Sequence, residues 1–447
     1  GNTAYFVMND YPSYYLLSED EKKKAEDLLP EYFDSATGRS DPVTRCGDIR
    51  FFPRYSEINY LIIAGVPLDE TDGDIEKQVF MGSGNTVYSS LDNMYIATQK
   101  YEYNDLMRYY IWQPPITNES TVFYRFQLDK GNIDFKGSGS VPGRLLNQFS
   151  MDEDCSAFRV ATTVGHFWEN GKITNQLVIL DRDNLGIILG KVENIGVGET
   201  IKSVRFMGKK AYVVTFKNTD PFFVIDVSEP TSPKILGELK IPGYSDYLHP
   251  YDENHIIGFG KEAMEATPQE WRGDDFAWYQ GMKIALFDVT DVTNPKLKFN
   301  ETIGDRGTNS EVLYNHKALL FSKSKNIIAF PIEVAEVKDK DPAKPDPSAY
   351  GQTVFRGAYI YSLNLEKGFE LRGKISHFGE QPGPNEYNFY GVNSPVIDRM
   401  LYIGENLYSV SMAKVQAHSL ADITKTGEVE LEKEKEAYVY EEPIPLN

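Results

Sequence analysis

The stretch Ile201–Pro242, IKSVRFMGKKAYVVTFKNTDPFFVIDVSEPTSPKILGELKIP, decides the fold. It holds four apolar runs: Val204–Met207, Ala211–Phe216, Phe222–Val227 and Ile235–Ile241. Between them lie Gly208-Lys209-Lys210, then Asn218-Thr219-Asp220-Pro221, then Glu229-Pro230-Thr231-Ser232-Pro233. Short β-branched and aromatic runs bounded by Gly, Pro, Asn, Asp and Ser read as strands. Four of them in about 40 residues make an up-and-down antiparallel sheet, the size of one propeller blade.

The unit recurs. Ile225-Asp226-Val227-Ser228 leads to Pro233-Lys234, and Phe287-Asp288-Val289-Thr290 leads to Pro295-Lys296, every position displaced by 62 residues. In each copy the Asp side chain is expected to cap free amides of the turn, while Pro fixes φ where the chain reverses. Looser copies occupy Phe123–Gly139, Val178–Val192, Tyr359–Ile375 and Val415–Leu431. A repeat architecture follows. The expected fold is all-β: one β-propeller over residues 1–447, of about seven four-stranded antiparallel blades, eight being the alternative, with short helical insertions. Residues 9–57 read as an inserted helix and loop, since Ser18-Glu19-Asp20-Glu21 is a capping box that Pro30 closes. Thr267-Pro268-Gln269-Glu270 reads as a second helix start. Strand-like Glu311–Asn315 and Leu146–Ser150 are counted among the blades. The acidic tail, 432–447, carries Ala437-Tyr438-Val439-Tyr440, which either completes the first blade and closes the ring or leaves that role to residues upstream.

Composition narrows the function. A net charge of −20 and a pI near 4.8 repel phosphate backbones, so neither nucleic acid nor an anionic membrane is an expected partner. No apolar run reaches transmembrane length. The chain opens Gly1-Asn2-Thr3 directly before a strand, as expected of a trimmed or processed start. Two cysteines, Cys46 and Cys155, fit an exported chain with one disulfide, the alternative being two buried thiols. The expectation is a secreted or cell-surface monomer.

Ser203–Glu262, Phe276–Lys296 (FAWYQGMKIALFDVTDVTNPK), Ser310–Phe321 (SEVLYNHKALLF) and Gly357–Ile375 together resemble a family of secreted bacterial and archaeal proteins. That family carries a C-terminal β-propeller domain distantly related to WD-type repeats. The resemblance implies a propeller and export; it implies no reaction.

Two candidate sites stand out. Asp246, His249 and Glu253 lie in a run with two His and three carboxylates, which would suit a divalent cation at the mouth of a central channel. The bland reading makes Pro250–Asn254 a polar turn and His249 a hydrogen-bonded structural residue. His316, at the matching place in the next unit, suits a repeated structural role. The second candidate is aromatic: Trp112, Trp271, Trp278 and Tyr279, in loops leaving between second and third strands. An antiparallel meander puts all such loops on one face, where exposed aromatics bind protein, peptide or glycan. No G-x-S-x-G elbow, C-x-x-C or H-E-x-x-H occurs, so no catalytic residue or cofactor is assigned. Two functions stay open: an extracellular binding or scaffold propeller, and a metal-assisted hydrolase or lyase built on Asp246, His249 and Glu253.

Overall fold

The computed structural model describes residues 2–12, 28–35, 38–52, 58–69, 75–103, 116–166, 173–217, 220–265, 277–338, 340, 346–379 and 394–431. The chain divides into two units, Gly1–Glu199 with Asp226–Lys234, and Thr200–Ile225 with Ile235–Asn447.

The first unit holds three large sheets. In the first, Thr3–Asp10, Tyr60–Pro67 and Glu76–Met81 pair in that order, and Arg50–Phe51 adds outside, parallel to Glu76–Met81. The second runs Thr86–Ser89, Asn93–Tyr103, Ile116–Asp129, Asn132–Pro142. The third has five strands, because Arg144–Leu145 and Met151–Asp154 both pair with Ala157–Val164, followed by Thr174–Asp181 and Ile188–Ile195. A two-stranded hairpin, Glu31–Asp34 with Arg39–Pro42, stands apart. Phe52 stacks on Phe80 and Tyr124 (ring centroids 4.7 and 3.6 Å) in the core shared by the first two sheets.

The second unit holds four four-stranded sheets. Thr200–Met207, Lys210–Phe216, Asp220–Asp226 and Lys234–Ile241 form the fourth, the quoted stretch. Tyr244–Asp252, His255–Glu265, Ala277–Asp288 and Lys296–Ile303 form the fifth. The sixth is Leu320–Ser322, Ile327–Glu336, Gln352–Asn364 and Gly368–Ile375; the seventh is Ile397–Ile403, Asn406–Ser411, Lys414–Ser419 and Lys425–Glu430. Middle strands are covered on both faces, so Ala211–Phe216 is buried throughout. Outer strands are wetted on one side, and Lys296–Ile303 alternates along its length. Phe222 of the fourth sheet stacks on Phe287 of the fifth at 4.6 Å, both fully buried, each ring contributing roughly 2–3 kcal/mol of burial.

The repeat chemistry holds. Asp226 Oδ1 accepts from the Ser228 amide, and Asp288 Oδ1 from the Thr290 amide, each at 3.0 Å. The proline turn of the fifth sheet then lies on Gly237 in the outer strand of the fourth, where a Cβ would strike the Val292 carbonyl and the Pro295 ring. Gly190 meets the Pro230–Pro233 turn in the same way.

The all-β architecture of four-stranded sheets holds, and the expectation of short helical insertions is corrected. Eight sheets are present among the described residues, one only a hairpin; one carries a parallel edge and one has five strands. No α-helix occurs among the described residues, where helix is limited to three-residue 3-10 turns. The described part of 9–57 pairs as strands instead, while the helix starts at Ser18 and Thr267 and the tail 432–447 lie outside the described residues. Glu311–Leu313 and Gln148–Ser150 are 3-10 turns rather than strands. Side-chain capping is the reason: Ser310 accepts from the Val312 amide and Asn147 from the Phe149 amide, bending the backbone out of the sheet.

Candidate functional site

The fifth sheet places the site. Its first strand starts after Gly243, pairing Tyr244 with Lys261, Ser245 with Gly260 and Tyr247 with Phe259. Asp246 is left over as a bulge, and bulges re-aim a side chain out of the alternating pleat. Gly260 permits it: a Cβ there would fall on the Tyr244 carbonyl oxygen.

Asp246 is half-buried, with no hydrogen-bond partner among the described residues. Burial pushes its carboxyl up to about 7, against the pull of the Lys202 and Lys261 ammoniums. Lys261 is the complement: burial pushes its amine down to about 8, against the pull of Asp246. Its Nζ donates to the Thr308 carbonyl. Around this charge cluster stand three rings. Tyr244 lies 4.6 Å from Phe216 and 5.2 Å from Tyr279, and Phe216 lies 5.8 Å from Tyr279. Lys202 Nζ sits 4.9 Å over the Tyr244 ring, a cation–π contact. Burial and then the Asp246 charge raise the Tyr279 phenol, yet the residue is 42% exposed, while Phe216 and Tyr244 behind it are buried.

All these residues lie where first strands begin and second strands end, the end from which second-to-third-strand connections leave. At this end the sixth sheet's connection reaches the fifth sheet: Gln280 Nε2 donates to Pro347 O at 2.9 Å. Arg306 lies between Trp278 and Tyr350, 4.5 and 5.6 Å from their ring centroids. Trp112 and Trp271 lie outside the described residues.

The structure thus joins Asp246 to Tyr279, from two separate sequence candidates, and separates Asp246 from its expected companions. His249 accepts at Nδ1 from the Tyr247 hydroxyl (3.0 Å), which itself accepts from Arg205 Nη2 at 3.0 Å. Phe321 packs edge-on at 4.4 Å. Burial, then the charges of Arg205 and His316, hold His249 down at about 4, so it is neutral at pH 7. Glu253 is exposed at the far turn, seven residues and ~23 Å of strand from Asp246. Among the described residues no three His, Cys, Asp or Glu side chains gather to hold a metal ion. The expected cation centre on Asp246, His249 and Glu253 is not formed. Nor is the bridge between Cys46 and Cys155: both are exposed free thiols. Lys202 and Lys261 were not singled out by sequence; the available signal was a lysine interrupting apolar strand residues in an acidic chain.

Fold and site together define a β-propeller domain with an aromatic, lysine-flanked carboxylate at its loop-bearing end. Residues 1–423 match the family described as "Beta propeller domain", and the chain belongs to that family. Over 213 residues it is 42% identical to an uncharacterised protein of Archaeoglobus fulgidus, covering 48% of this chain and 30% of that one. Over 178 residues it is 50% identical to an uncharacterised protein of Methanocaldococcus jannaschii, covering 40% and 25%. The chain spans less than a third of the length of these curated relatives. A solved structure of Pseudomonas aeruginosa periplasmic gluconolactonase is similar with a TM-score of 0.41 and 9% identity, covering 83% of this chain and 93% of that one. No helix among the described residues is long and apolar enough to cross a membrane.

Proposed function

We propose that this is a ligand-binding propeller domain of a secreted or cell-surface protein, which takes a protein, peptide or glycan on the loop-bearing end of its second unit. The observation that carries the reading is the exposed Tyr279 ring, backed by buried Phe216 and Tyr244, beside a half-buried carboxylate flanked by Lys202 and Lys261. Aromatic faces supply contact area at low entropy cost, while the charges fix orientation. Holding a carboxylate among rings without a hydrogen-bond donor costs stability, and such costs gather at working sites. The acidic composition supports the extracellular setting.

Screening glycan and peptide arrays with the intact chain tests the reading. A binder whose affinity falls about tenfold or more in Tyr279→Ala, with the melting temperature held, supports it. A binder indifferent to both Tyr279→Ala and Asp246→Asn overturns it.

The metal-assisted hydrolase or lyase lacks a common centre in this geometry. What favours chemistry is Asp246 alone, a group that changes protonation near neutral pH as a general acid does. Turnover of an ester, phosphoester or glycoside that vanishes in Asp246→Asn would replace the binding reading.

A further inference from the structure

Trp278 and Tyr279 are consecutive on the third strand of the fifth sheet, so they face opposite sides of it. Tyr279 turns to Phe216 of the fourth sheet, and Trp278 turns to Arg306, which follows the fifth sheet's last strand. The Arg306 guanidinium is held between two rings, 4.5 Å from the Trp278 centroid and 5.6 Å from that of Tyr350 in the sixth sheet's connection. The frame around it is tied down. The Gly351 amide donates to the Arg306 carbonyl (2.7 Å), the Asp305 amide to the Ala335 carbonyl (2.7 Å), and Gln280 Nε2 to Pro347 O (2.9 Å). A Cβ at Gly307 would strike the Tyr350 ring and crowd Ala335, so the turn closes only on glycine. Asp305, the neighbouring carboxylate, is engaged by Lys340 and by the Val337 amide. Within the stack Arg306 Nε is sealed from solvent, whereas the two Nη nitrogens stay at the surface. No hydrogen bond or ion pair engages them among the described residues. In a chain with 66 acidic and 46 basic residues, an arginine held in place without a carboxylate is a vacancy for an anion.

We propose that Arg306 and Tyr350 bind a glycan that carries a uronic-acid carboxylate. The Nη edge offers two parallel N–H donors, which match the two oxygens of one carboxylate. Stacking between the rings fixes the plane of that fork in advance, so little freedom is lost when it binds. Tyr350 is 70% exposed and gives a sugar ring a flat face beside the fork. A uronic-acid residue carries a flat C–H face and a carboxylate on one unit, whereas a peptide needs two residues to supply them. The net charge of −20 sets a sparsely charged sugar ahead of a sulfated polyanion. The assignment deepens the binding reading by naming the ligand class of the loop-bearing end, and it rests on that reading for its setting. Because Arg306 and Tyr279 lie on opposite sides of one strand, the two can fail separately.

Calorimetric titration and saturation-transfer NMR of the intact chain at pH 7 test this, with digalacturonate as the probe and its methyl ester and triglutamate as comparators. Digalacturonate is expected to bind, and to bind about tenfold or more weakly in Arg306→Gln and in Arg306→Lys, since lysine keeps the charge and loses the fork. The methyl ester should lose as much. Tyr350→Ala, a cut at an exposed ring, should weaken binding with the melting temperature held, which keeps the test decisive if the Arg306 variants lose stability. Absence of digalacturonate binding, equal binding by parent and Tyr350→Ala, equal binding of the ester, or tighter binding of triglutamate would overturn the proposal. Digalacturonate binding lost in Tyr279→Ala yet kept in Arg306→Gln would overturn it too, and would leave the binding reading standing. Binding lost in Arg306→Gln and indifferent to both Tyr279→Ala and Asp246→Asn would support the Arg306 site and remove Tyr279 and Asp246 from the reading.

Discussion

Replacing Asp246 by Asn keeps the shape of the side chain and removes its charge, so it isolates what the buried carboxylate does to the fold. Burial raises its pKa from 3.8 to about 7. The sign follows from proton binding. Below pH 3.8 the carboxyl is neutral both folded and unfolded, and the charge contributes nothing. Between there and about 7 the unfolded chain ionises while the folded one holds its proton, so stability is lost as pH rises. Above 7 both are ionised and the full cost stands. A shift of about 3 units corresponds to ~4 kcal/mol. Asp246→Asn should therefore match the parent near pH 4, gain on it by roughly 1.4 kcal/mol per pH unit, and level off ~4 kcal/mol more stable above pH 7. Urea unfolding of both proteins at pH 4, 5, 6, 7 and 8 measures this directly. A difference that does not change with pH, or a variant less stable than the parent at pH 8, would refute the reasoning. In that case the Lys202 and Lys261 attractions outweigh desolvation, and the carboxylate is a structural ion-pair partner.

Other expectations concern the rest of the frame. His377 is buried between the hydroxyls of Ser411 and Ser409, both at 2.8 Å, and burial lowers its pKa from 6.5 to about 4. Its stabilising effect is complete above pH 6.5 and declines by ~3 kcal/mol as pH falls through 4; pH-dependent unfolding of His377→Ala should lack that step. Gly260→Ala forces a Cβ onto the Tyr244 carbonyl and should lower the melting temperature and weaken any ligand that depends on Tyr279. Cys46 and Cys155, exposed and free, should both react with a thiol reagent in the folded protein, and mass spectrometry should show two adducts rather than none.

Much of the second unit was legible because its turn chemistry repeats. The Asp226 and Asp288 caps and the proline turns are local, so the 42 residues of Ile201–Pro242 sufficed to place four strands and to recognise their copies. What sequence could not show depends on register. Whether Asp246 bulges or sits in the pleat is decided by how Tyr244–Asp252 pairs with its neighbour, and nothing in the single strand reports that. Likewise Lys202 comes from the fourth sheet and Lys261 from the fifth, and only packing brings both to one carboxylate. The error at Glu311 has a local cause: Ser310 and Asn315 each cap a 3-10 turn, and apolar content was read ahead of capping. The expected cation site failed on distance, since Glu253 was grouped with Asp246 by nearness in sequence, and an extended strand carries residues apart at ~3.3 Å each.

Hydrogen exchange of the intact chain, with and without the strongest binder found on the arrays, tests the central claim most directly. The account predicts slowed exchange concentrated in 200–205, 244–248 and 277–281, where Lys202, Tyr244, Asp246 and Tyr279 lie. Protection confined to the outer strands Lys234–Ile241 and Lys296–Ile303, with those three segments unchanged, would contradict it.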